Sequence, residues 1–349
     1  MKALVLTGPS QFSYMETPNP VIGDEEVLVG VKACGICGSD VHGMDGSTGR
    51  RIPPLIMGHE ASGVIVATGN RVKGWQPGDR VTFDSTVYTL NDWYTLSGHY
   101  NLSDGREVLG VSPGEYRRHG AFAEYVAVPA HILYRIPENV TFVQAAMVEP
   151  VAVALHALSL SGILPGESCL VTGSGMIGNF LVQAAATAGA VPLIAADVVA
   201  QRLECALLMG ATTAINPESE PIGVIVKNLT GGRGVDVAFE AVGIPATVNL
   251  TLDLVRKGGR VVLVGNLTPK IDFPLQQVVT REIRIQGSCA IRGEYEAALR
   301  LISNGRIRVD PLISAVAPLS EGAAWFKRLH HKETGLNKVI LVPDSQMNY

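Results

Sequence analysis

The middle of the chain alternates short apolar runs with longer alanine-rich runs, and this rhythm restricts the fold more than any other feature. The predicted elements follow one another as strand 168–172, helix 176–188, strand 192–196, helix 201–209 and strands 235–239 and 260–264. Strands that alternate with helices form right-handed βαβ units, whose strands lie parallel in one sheet. The rhythm starts near residue 145 and breaks near residue 285. We therefore predict an α/β fold, with a doubly wound parallel sheet over residues 151–285.

A glycine fingerprint lies at the first strand-to-helix turn of this region. Gly173 suits the tight turn, Gly175 lets the backbone approach a pyrophosphate, and Gly178 lets the helix pack against the strand. Met176 and Ile177 begin the helix, whose amide donors and dipole favour phosphate groups. The alternative is a glycine-rich turn without a ligand. Because strand, fingerprint, helix and second strand occur in the right order, we predict a dinucleotide site.

Asp197 specifies the kind of dinucleotide. It follows Gly178 by 19 residues, at the end of the next predicted strand. A carboxylate there accepts hydrogen bonds from the adenosine ribose 2′-hydroxyl and repels a 2′-phosphate. No basic residue follows directly, since Arg202 comes later on the helix, so we expect NAD rather than NADP. Further residues assigned to the cofactor lie at later strand ends: Val242, Val264 and Gly265.

The first 150 residues have a different texture. Runs rich in β-branched residues, such as 26–33 and 63–69, are separated by turns such as Pro77-Gly78. This pattern predicts a β-rich domain over residues 1–150. After residue 285 a helix is predicted at 295–303, followed by a tail that contains proline. A chain of 349 residues exceeds the usual size of one hydrophobic core, so at least two domains are expected.

Two short motifs in the first domain carry metal-binding side chains. Cys37 lies in the run Gly35–His42, and His59 lies in Gly58-His59-Glu60. Zinc favours sulfur and imidazole ligands, and a catalytic zinc keeps one position open. Cys34 and Cys37 also form a C-x-x-C, which is compatible with half a structural zinc site or a redox pair. No second cysteine pair and no strand–helix context accompany it.

Together these residues resemble a zinc-dependent medium-chain dehydrogenase/reductase of the polyol, sorbitol-like branch. The resemblance covers nearly the whole chain and rests on five motifs: Ala33–His42, Met57–Glu60, Pro77–Val81, Gly120–Tyr125 and Val148–Pro150. It implies a GroES-like catalytic domain at 1–150, a central Rossmann domain at 151–285, and a return of 286–349 to the catalytic domain.

The resemblance also implies a ligand set for one catalytic zinc: Cys37, His59 and Glu149. Glu60 would then be a neighbouring catalytic residue or an exchange ligand. Taken by itself, Glu149 is equally well explained as a helix-start carboxylate favoured by the helix dipole. The implied reaction is oxidation of a secondary alcohol with hydride transfer to NAD.

Proton transfer is implied for two side chains next to the cysteine. By resemblance, Ser39 takes the proton of the alcohol and His42 relays it to solvent, while Asp40 orients a ligand. The simpler alternative is that Ser39 and His42 satisfy backbone groups of a turn.

The chain departs from the family in one lobe. Many relatives hold a second, structural zinc with four cysteines, whereas this chain has other residues at the four positions: Thr89, Asp92, Thr95 and Ser103. These weak, hard ligands would not hold a structural zinc. We expect one zinc per chain, with the lobe held by packing of Trp93, Tyr94 and Tyr100.

The substrate is less well specified. A polyol is expected by resemblance, with a sugar phosphate, an inositol, an aldose or L-threonine as alternatives. Paired arginines at 50–51 and 117–118 suit an anionic substrate, although such pairs are commonly solvated. Arg292 lacks the tyrosine that the polyol branch often places beside it. Other candidates for the pocket are Glu124, Phe83 and Trp93.

Composition limits the remaining function classes. A net charge of −4 gives no reason to expect nucleic acid or an anionic membrane as partner, and no apolar run is expected to reach the roughly 20 residues of a spanning helix. Five scattered cysteines favour a reducing, cytoplasmic location. Apolar strands at 260–264 and 281–285 suit a sheet edge in a homodimer or homotetramer. The rival interpretations are a zinc-free reductase, which would lack Cys37 and His59, and a catalytically inactive NAD(P)-binding regulatory protein.

Overall fold

The computed structural model describes residues 1–111 and 118–346. Its contacts divide the chain into two compact units. The first comprises residues 1–149, 291–305 and the described residues from 309 onward, and the second comprises 150–290 and 306–308. Arg117, one of the arginines considered for an anionic substrate, lies outside the described residues.

The first unit is built mainly from β-strands. Its strands are β1 (Lys2–Gly8), β2 (Gln11–Glu16), β3 (Glu26–Gly35), β4 (Leu55–Ile56), β5 (Glu60–Thr68), β6 (Arg80–Phe83), β7 (Thr86–Val87), β8 (Glu107–Val108), β9 (Tyr125–Pro129), β10 (Leu133–Arg135), β17 (Ile313–Pro318) and β18 (Lys338–Val342). Its helices are α1 (Gly38–Gly43), α2 (Trp93–Leu96), α3 (Phe142–Ala145), α10 (Tyr295–Ser303) and α11 (Gly322–His330). Helix α4 (Val148–Ser161) begins in this unit with Val148 and Glu149.

The main sheet of the first unit is centred on β3. The strand order is β10-β6-β5-β3-β18-β17, and β9 pairs with β3 as well. Along β3, Val27, Val29 and Val31 are buried while the residues between them are partly exposed, which is the period of two expected for a strand with one face on the core. Smaller sheets are formed by β2-β1-β4 and by β7-β8. The C-terminal strand β18 therefore lies directly beside the strand that leads to Cys37.

The second unit is a parallel sheet covered by helices. Its elements are β11 (Cys169–Thr172), α5 (Met176–Thr187), β12 (Leu193–Ala196), α6 (Ala200–Leu208), β13 (Thr213–Ile215), α7 (Ile222–Leu229), β14 (Val235–Glu240), α8 (Pro245–Leu254), β15 (Val255–Leu263), α9 (Leu275–Thr280) and β16 (Arg284–Gly287). The strand order is β13-β12-β11-β14-β15-β16, and all pairs are parallel. Every residue of β11 and β12 is buried, as expected for strands covered on both faces. The doubly wound sheet predicted from the sequence is confirmed.

One expectation about sheet edges is wrong. Residues 260–263 of the first run belong to β15, which hydrogen-bonds to β14 on one side and β16 on the other, so they offer no free edge. The second predicted run contributes residues 284 and 285 to β16, which is the last strand of the sheet. An apolar run by itself does not distinguish an edge strand from an inner one, because both bury their side chains under helices.

The hydrophobic interior of the first unit corrects two further expectations. Phe83 is fully buried in the core, so it does not line an open pocket. Trp93 is 74% exposed and therefore does not hold its lobe together. Tyr100 does pack, with its ring stacked on Tyr88 at a centroid distance of 4.4 Å.

One helical stretch is longer and more apolar than expected. Residues Phe142–Ser161, which comprise α3 and α4, reach 20 residues with a mean hydropathy of 1.5, enough by length and composition to cross a membrane. The expectation that no run would reach this length is therefore wrong. Most of the stretch is buried inside the protein, which is also the property of a core helix.

Candidate functional site

Cys37 lies in the turn between β3 and α1, where it occupies the N-cap position of the helix. Its Sγ accepts a hydrogen bond from the Ser39 N–H at 3.4 Å and another from the Ser39 hydroxyl at 3.2 Å. Hydrogen bonds of this kind favour the thiolate, the form that binds a metal. Cys34 is instead buried in the core, and the donor group described next does not include it.

Strand pairing brings the two metal-binding motifs together. Strand β5 begins at Glu60 and runs antiparallel to β3, with Glu60 opposite Gly35. A side chain at Gly35 would collide with the Glu60 carboxylate, so glycine lets the two strands approach. As a result, the potential ligand atoms of Cys37, His59 and Glu60 all lie within 4.8 Å of one another. Such a separation suits donors around a single ion.

Asp40 is fully buried in α1 and faces His59. Its Oδ1 lies 3.5 Å from Nδ1 of the imidazole. A carboxylate in this position favours the proton on Nδ1 and leaves Nε2 free to bind a metal. Nδ1 of His59 and Oδ2 of Asp40 have no hydrogen-bond partner within residues 1–111 and 118–346.

Lys338, which the sequence analysis did not single out, lies beside Glu60. Its Nζ donates to Glu60 Oε2 at 2.5 Å and to the Ile36 carbonyl at 3.0 Å, and both charged side chains are almost completely buried. Burial lowers the pKa of Lys338, but attraction to Glu60 and Cys37 outweighs this and the pKa is raised overall. The ammonium therefore stays charged and holds the Glu60 carboxylate.

Glu149 lies in the first turn of α4, close to this group without belonging to it. Its Oε1 is 3.5 Å from the Ser85 hydroxyl, at the limit of a hydrogen bond. Desolvation raises the pKa of its carboxyl, with an opposing effect of His59 and a reinforcing effect of Glu60 and Cys37. In this structure Glu60, rather than Glu149, contributes the carboxylate next to the cysteine and histidine.

The charges around the site are balanced only if some groups are protonated. Two buried cations, Arg51 and Lys338, face four groups that can be negative: Asp40, Glu60, Cys37 and Glu149. Desolvation raises the pKa of the Cys37 thiol, as it does for the Glu149 carboxyl. A divalent cation would lower both pKa values and compensate both added charges. The sulfur, nitrogen and oxygen donors fit zinc.

Ser39 and His42 both lie in α1 and are exposed. The Ser39 hydroxyl donates to Cys37 and accepts a hydrogen bond from Arg51 Nη2 at 3.1 Å. Desolvation lowers the pKa of His42, and the positive charges of Lys332 and His330 lower it further. The imidazole is therefore neutral near neutral pH, which is the form that can accept a proton.

In the second unit, the glycine fingerprint has the geometry of a phosphate cradle. Gly173 has a φ of +91°, and a side chain there would collide with Val242. A side chain at Gly178 would collide with the carbonyl oxygen of Gly173, so glycine is needed for α5 to pack on β11. At Gly175, which precedes Met176 at the start of α5, a Cβ would meet open space. A helix N-terminus with such space in front of it fits a pyrophosphate.

Asp197 lies at the carboxyl end of β12, where it is 8% exposed. Its carboxylate accepts hydrogen bonds from the N–H groups of Ser174 and Val199, so it ties the fingerprint turn to the next helix. Arg202 Nη1 lies 3.6 Å from the Asp197 carboxylate. Arg202, which was predicted to contact the cofactor, is thus directed at the Asp197 carboxylate.

Glu240 is a second buried acid that the sequence analysis missed. It ends β14 and is fully buried. Its carboxylate accepts hydrogen bonds from the N–H groups of Val242 and Gly243, and its carbonyl accepts from Val264 and Gly265. Three of the residues assigned to the cofactor, Val242, Val264 and Gly265, are therefore held by this one glutamate. An acid at the end of an otherwise apolar strand is the sequence signal that could have found it.

The lobe at residues 84–108 uses hydrogen bonds at the four positions where many relatives have cysteine. Asp92 accepts from the Thr95 N–H at 2.7 Å and from the Ser103 hydroxyl, which in turn accepts from the Thr89 N–H at 3.3 Å. A protein carboxylate thus links all four positions. Nearby, Tyr100 donates to the buried Asp84 at 2.6 Å and accepts from the Gly293 N–H at 2.7 Å.

Most candidates for substrate binding have other partners. Arg51 is buried in an ion pair with Asp40, so it is neither solvated nor available to an anionic substrate. Arg118 pairs with Glu26, and the Glu124 carboxylate accepts a hydrogen bond from the Lys2 N–H. Arg292 is half-buried, and its N–H donates to Glu294. The pairings of Arg118 and Glu124 could not be read from the sequence, because they join residues 92 and 122 positions apart in the chain.

Comparison with known proteins gives matches along most of the chain. The alcohol dehydrogenase GroES-like domain matches residues 23–138, and the zinc-binding dehydrogenase model matches residues 177–304. The chain is 33% identical to D-xylulose reductase of Morganella morganii, over 94% of this chain and 97% of that protein. It is 32% identical to sorbitol dehydrogenase of Bacillus subtilis strain 168, over 99% and 98%. A solved structure described as a zinc-binding dehydrogenase of Sinorhizobium meliloti 1021, bound to NADP, is similar with a TM-score of 0.90, 32% identity and coverage of 98% and 99%.

Proposed function

Because the chain belongs to the zinc-dependent medium-chain alcohol dehydrogenase family, on its polyol dehydrogenase-like branch, we propose that it oxidises a secondary alcohol of a polyol and transfers hydride to NAD. The observation that carries the proposal is the group formed by Cys37, His59 and Glu60 between two buried cations. In the proposed site Cys37 and His59 hold the metal with Glu149 as third ligand. Glu60 exchanges with it, since the Glu60 charge is already balanced by Lys338 whereas Glu149 has no such hydrogen-bonded cation among the described residues.

The side chains around the proposed metal site have separate roles in the reaction. A bound zinc ion supplies Lewis acidity at the alcohol oxygen. Ser39, whose hydroxyl lies directly against the sulfur ligand, would accept the proton of the alcohol on its oxygen while its own hydroxyl proton leaves towards His42. His42 passes the proton to solvent, because its pKa is lowered and its side chain is exposed. Asp40 keeps His59 in the tautomer that binds the metal.

A screen of NAD reduction tests the proposal. Polyols, inositols, sugar phosphates, aldoses and L-threonine are each offered to the protein with and without added zinc. Reduction of NAD with a polyol, lost on chelation and restored by zinc, is expected. The matched pair of variants is Cys37→Ala and Cys34→Ala, and only the first should lose metal and activity. Full activity after chelation, or metal loss in both variants, would contradict the metal site, and no NAD reduction with any compound would favour an inactive binding protein.

We propose a preference for NAD over NADP on the position of Asp197. The carboxylate would meet the adenosine ribose, and the nearby Arg202 is directed at Asp197 rather than at a 2′-phosphate. Because a similar solved structure contains NADP, the two cofactors must be compared directly. The ratio of kcat/KM values for the two cofactors measures it, and a higher value with NADP would contradict the proposal.

We further propose one zinc per chain and no structural zinc. The four positions in the lobe carry threonine, aspartate and serine side chains joined by hydrogen bonds, which leaves no thiolate for a second ion. Metal analysis of the purified protein should give about one zinc per chain. Two tightly held zinc ions would contradict this.

A homodimer or homotetramer in the cytoplasm completes the proposal. Strand β16 ends the sheet of the second unit, and three of its four residues are exposed, so it can pair with the same strand of a second copy. All five cysteines are free, in keeping with a reducing compartment. Light scattering of the purified protein tests the oligomeric state, and a stable monomer would contradict it.

A further inference from the structure

Arg51 is a buried cation of the site that belongs to neither metal-binding motif. It is 4% exposed, whereas its neighbour Arg50 lies at the surface. Burying a guanidinium is costly unless its donors are satisfied. The side chain makes three hydrogen bonds, two to Asp40 and one to Ser39, and neither partner is a predicted metal ligand. Each partner does contact a ligand.

The first connection runs through Asp40 to the imidazole. Nε and Nη2 of Arg51 both donate to Asp40 Oδ1, at 3.1 and 2.8 Å. The same oxygen lies 3.5 Å from Nδ1 of His59. A carboxylate fixed by two donors cannot rotate away from the imidazole without losing them, so the arginine holds the group that orients His59.

The second connection runs through Ser39 to the sulfur. Nη2 of Arg51 donates to the Ser39 hydroxyl oxygen at 3.1 Å, and the hydroxyl donates to Cys37 Sγ at 3.2 Å. A guanidinium can only donate, so it occupies a lone pair of the hydroxyl and leaves the hydroxyl hydrogen to point at the sulfur. The direction of the hydrogen bond to Cys37 is thereby set by Arg51.

The backbone of α1 leaves room for this side chain. A Cβ at Gly43 would lie 2.8 Å from Cγ of Arg51 and 3.1 Å from Thr48 Oγ1. Gly43 lies in the helix and not in the left-handed region, so close approach, rather than backbone strain, accounts for glycine here. This close approach at Gly43 is independent of the hydrogen bonds of Arg51, and it indicates that a glycine in α1 makes room for the arginine side chain.

We propose that Arg51 is a positioning residue of the metal centre, whose single guanidinium orients both the imidazole of His59, through Asp40, and the sulfur ligand Cys37, through Ser39. The inference rests on the proposed zinc site. Lysine cannot replace arginine in this role, because an ammonium is a point charge without the planar fork that bridges two acceptors. Loss of such a supporting contact weakens metal binding by about 10- to 100-fold.

The test compares Arg51→Lys with Arg50→Lys, which makes the same change one residue away at the surface. The zinc dissociation constant is measured by competition with a chelator, and the visible absorption of the cobalt-substituted protein reports the sulfur ligand and the ligand geometry. Arg51→Lys should weaken zinc binding by about tenfold or more and change the cobalt spectrum, while Arg50→Lys should alter neither. The unfolding of the metal-free proteins is measured in parallel. If Arg51 only stabilised the fold, its replacement would change the stability of the metal-free protein and leave zinc binding unchanged.

The results that would overturn the proposed role of Arg51 can be told apart from those that would overturn the zinc site. Equal zinc affinity within about twofold and equal cobalt spectra for the two variants would overturn the role of Arg51 while leaving the zinc site intact. A native protein that binds no zinc would overturn the site and the inference together. If Arg51→Lys fails to fold, Gly43→Ala replaces it, because the added methyl group displaces the arginine without removing any charge. Unchanged zinc affinity in that variant would also overturn the proposal.

Discussion

Replacing Lys338 by methionine tests how the charges of the metal site are balanced. The Lys338 and Glu60 side chains are 3% and 1% exposed, with Nζ 2.5 Å from Oε2. Removing one partner of a buried ion pair leaves the other charge without compensation, at a cost of about 3–5 kcal/mol. The hydrogen bond to the Ile36 carbonyl is lost as well. Methionine fills the space of the lysine stem, so we expect the metal-free variant to lose about 3 kcal/mol, the lower end of that range, from the free energy of unfolding.

The assay is urea unfolding in the presence of a chelator, followed by tryptophan fluorescence. All three tryptophans, Trp75, Trp93 and Trp325, lie in the first unit, so the signal reports on the unit that contains the ion pair. The double variant Lys338→Met with Glu60→Gln should recover most of the loss, because no uncompensated charge then remains. Lys73→Met, at an exposed position, is the control and should change stability by no more than about 0.5 kcal/mol.

A second readout uses zinc itself. Freed from Lys338, the Glu60 carboxylate adds a negative charge to the ligand group, so zinc should stabilise the variant more than the native protein. The reasoning is refuted if Lys338→Met costs less than about 1 kcal/mol, or if the double variant is no more stable than the single one.

Three further predictions concern other acids. Burial raises the pKa of Asp84 to about 6, so the charged form of Asp84 destabilises the fold and the free energy of unfolding should fall as pH rises through that value. Between pH 5 and pH 7 this free energy should fall by about 1.4 kcal/mol in the native protein and should not fall in this way in Asp84→Asn. Equal pH profiles for the two proteins would contradict the prediction. Asp92→Ala should destabilise the lobe by about 1–2 kcal/mol through loss of the N-cap of α2, seen as faster hydrogen exchange at residues 89–103, while Asp104→Ala at an exposed position should not. Asp197→Asn should lower the NAD-to-NADP ratio of kcat/KM by about tenfold, and an unchanged ratio would show that another residue selects the cofactor.

The fold of the second unit was predictable because its determinants are local. Buried strands, helix lengths and the glycine fingerprint follow one another within short stretches of chain, and the order of elements restricts the topology to a parallel sheet. The helix predicted at 295–303 is likewise present as α10. Gly210, with a φ of +115°, ends the helix that the sequence placed before it.

The edges and exposed positions of the fold were harder to predict. The run 260–264 has the composition of an edge or an inner strand, and only the pairing of β15 with both neighbours decides between them. Trp93 has the size of a core residue, but the short helix α2 turns it outward. Burial of a single aromatic residue depends on neighbours that local sequence does not specify.

The sequence by itself determined the parallel sheet, its phosphate-binding turn and the residues Cys37 and His59 as candidates for a metal, because these features depend on periodicity and on chemically distinctive side chains. Glu149 and Glu60 became candidates only through the resemblance to the family. Tertiary structure alone decided which carboxylate lies next to the sulfur and which cations hold it. The register of β3 against β5 and β18 places Glu60 at Gly35 and Lys338 at Glu60 across 278 positions of sequence. Charge compensation in a buried site depends on how close two side chains lie in the folded protein. The sequence alone does not distinguish the lysine or arginine that will be buried beside an acid from those that stay at the surface.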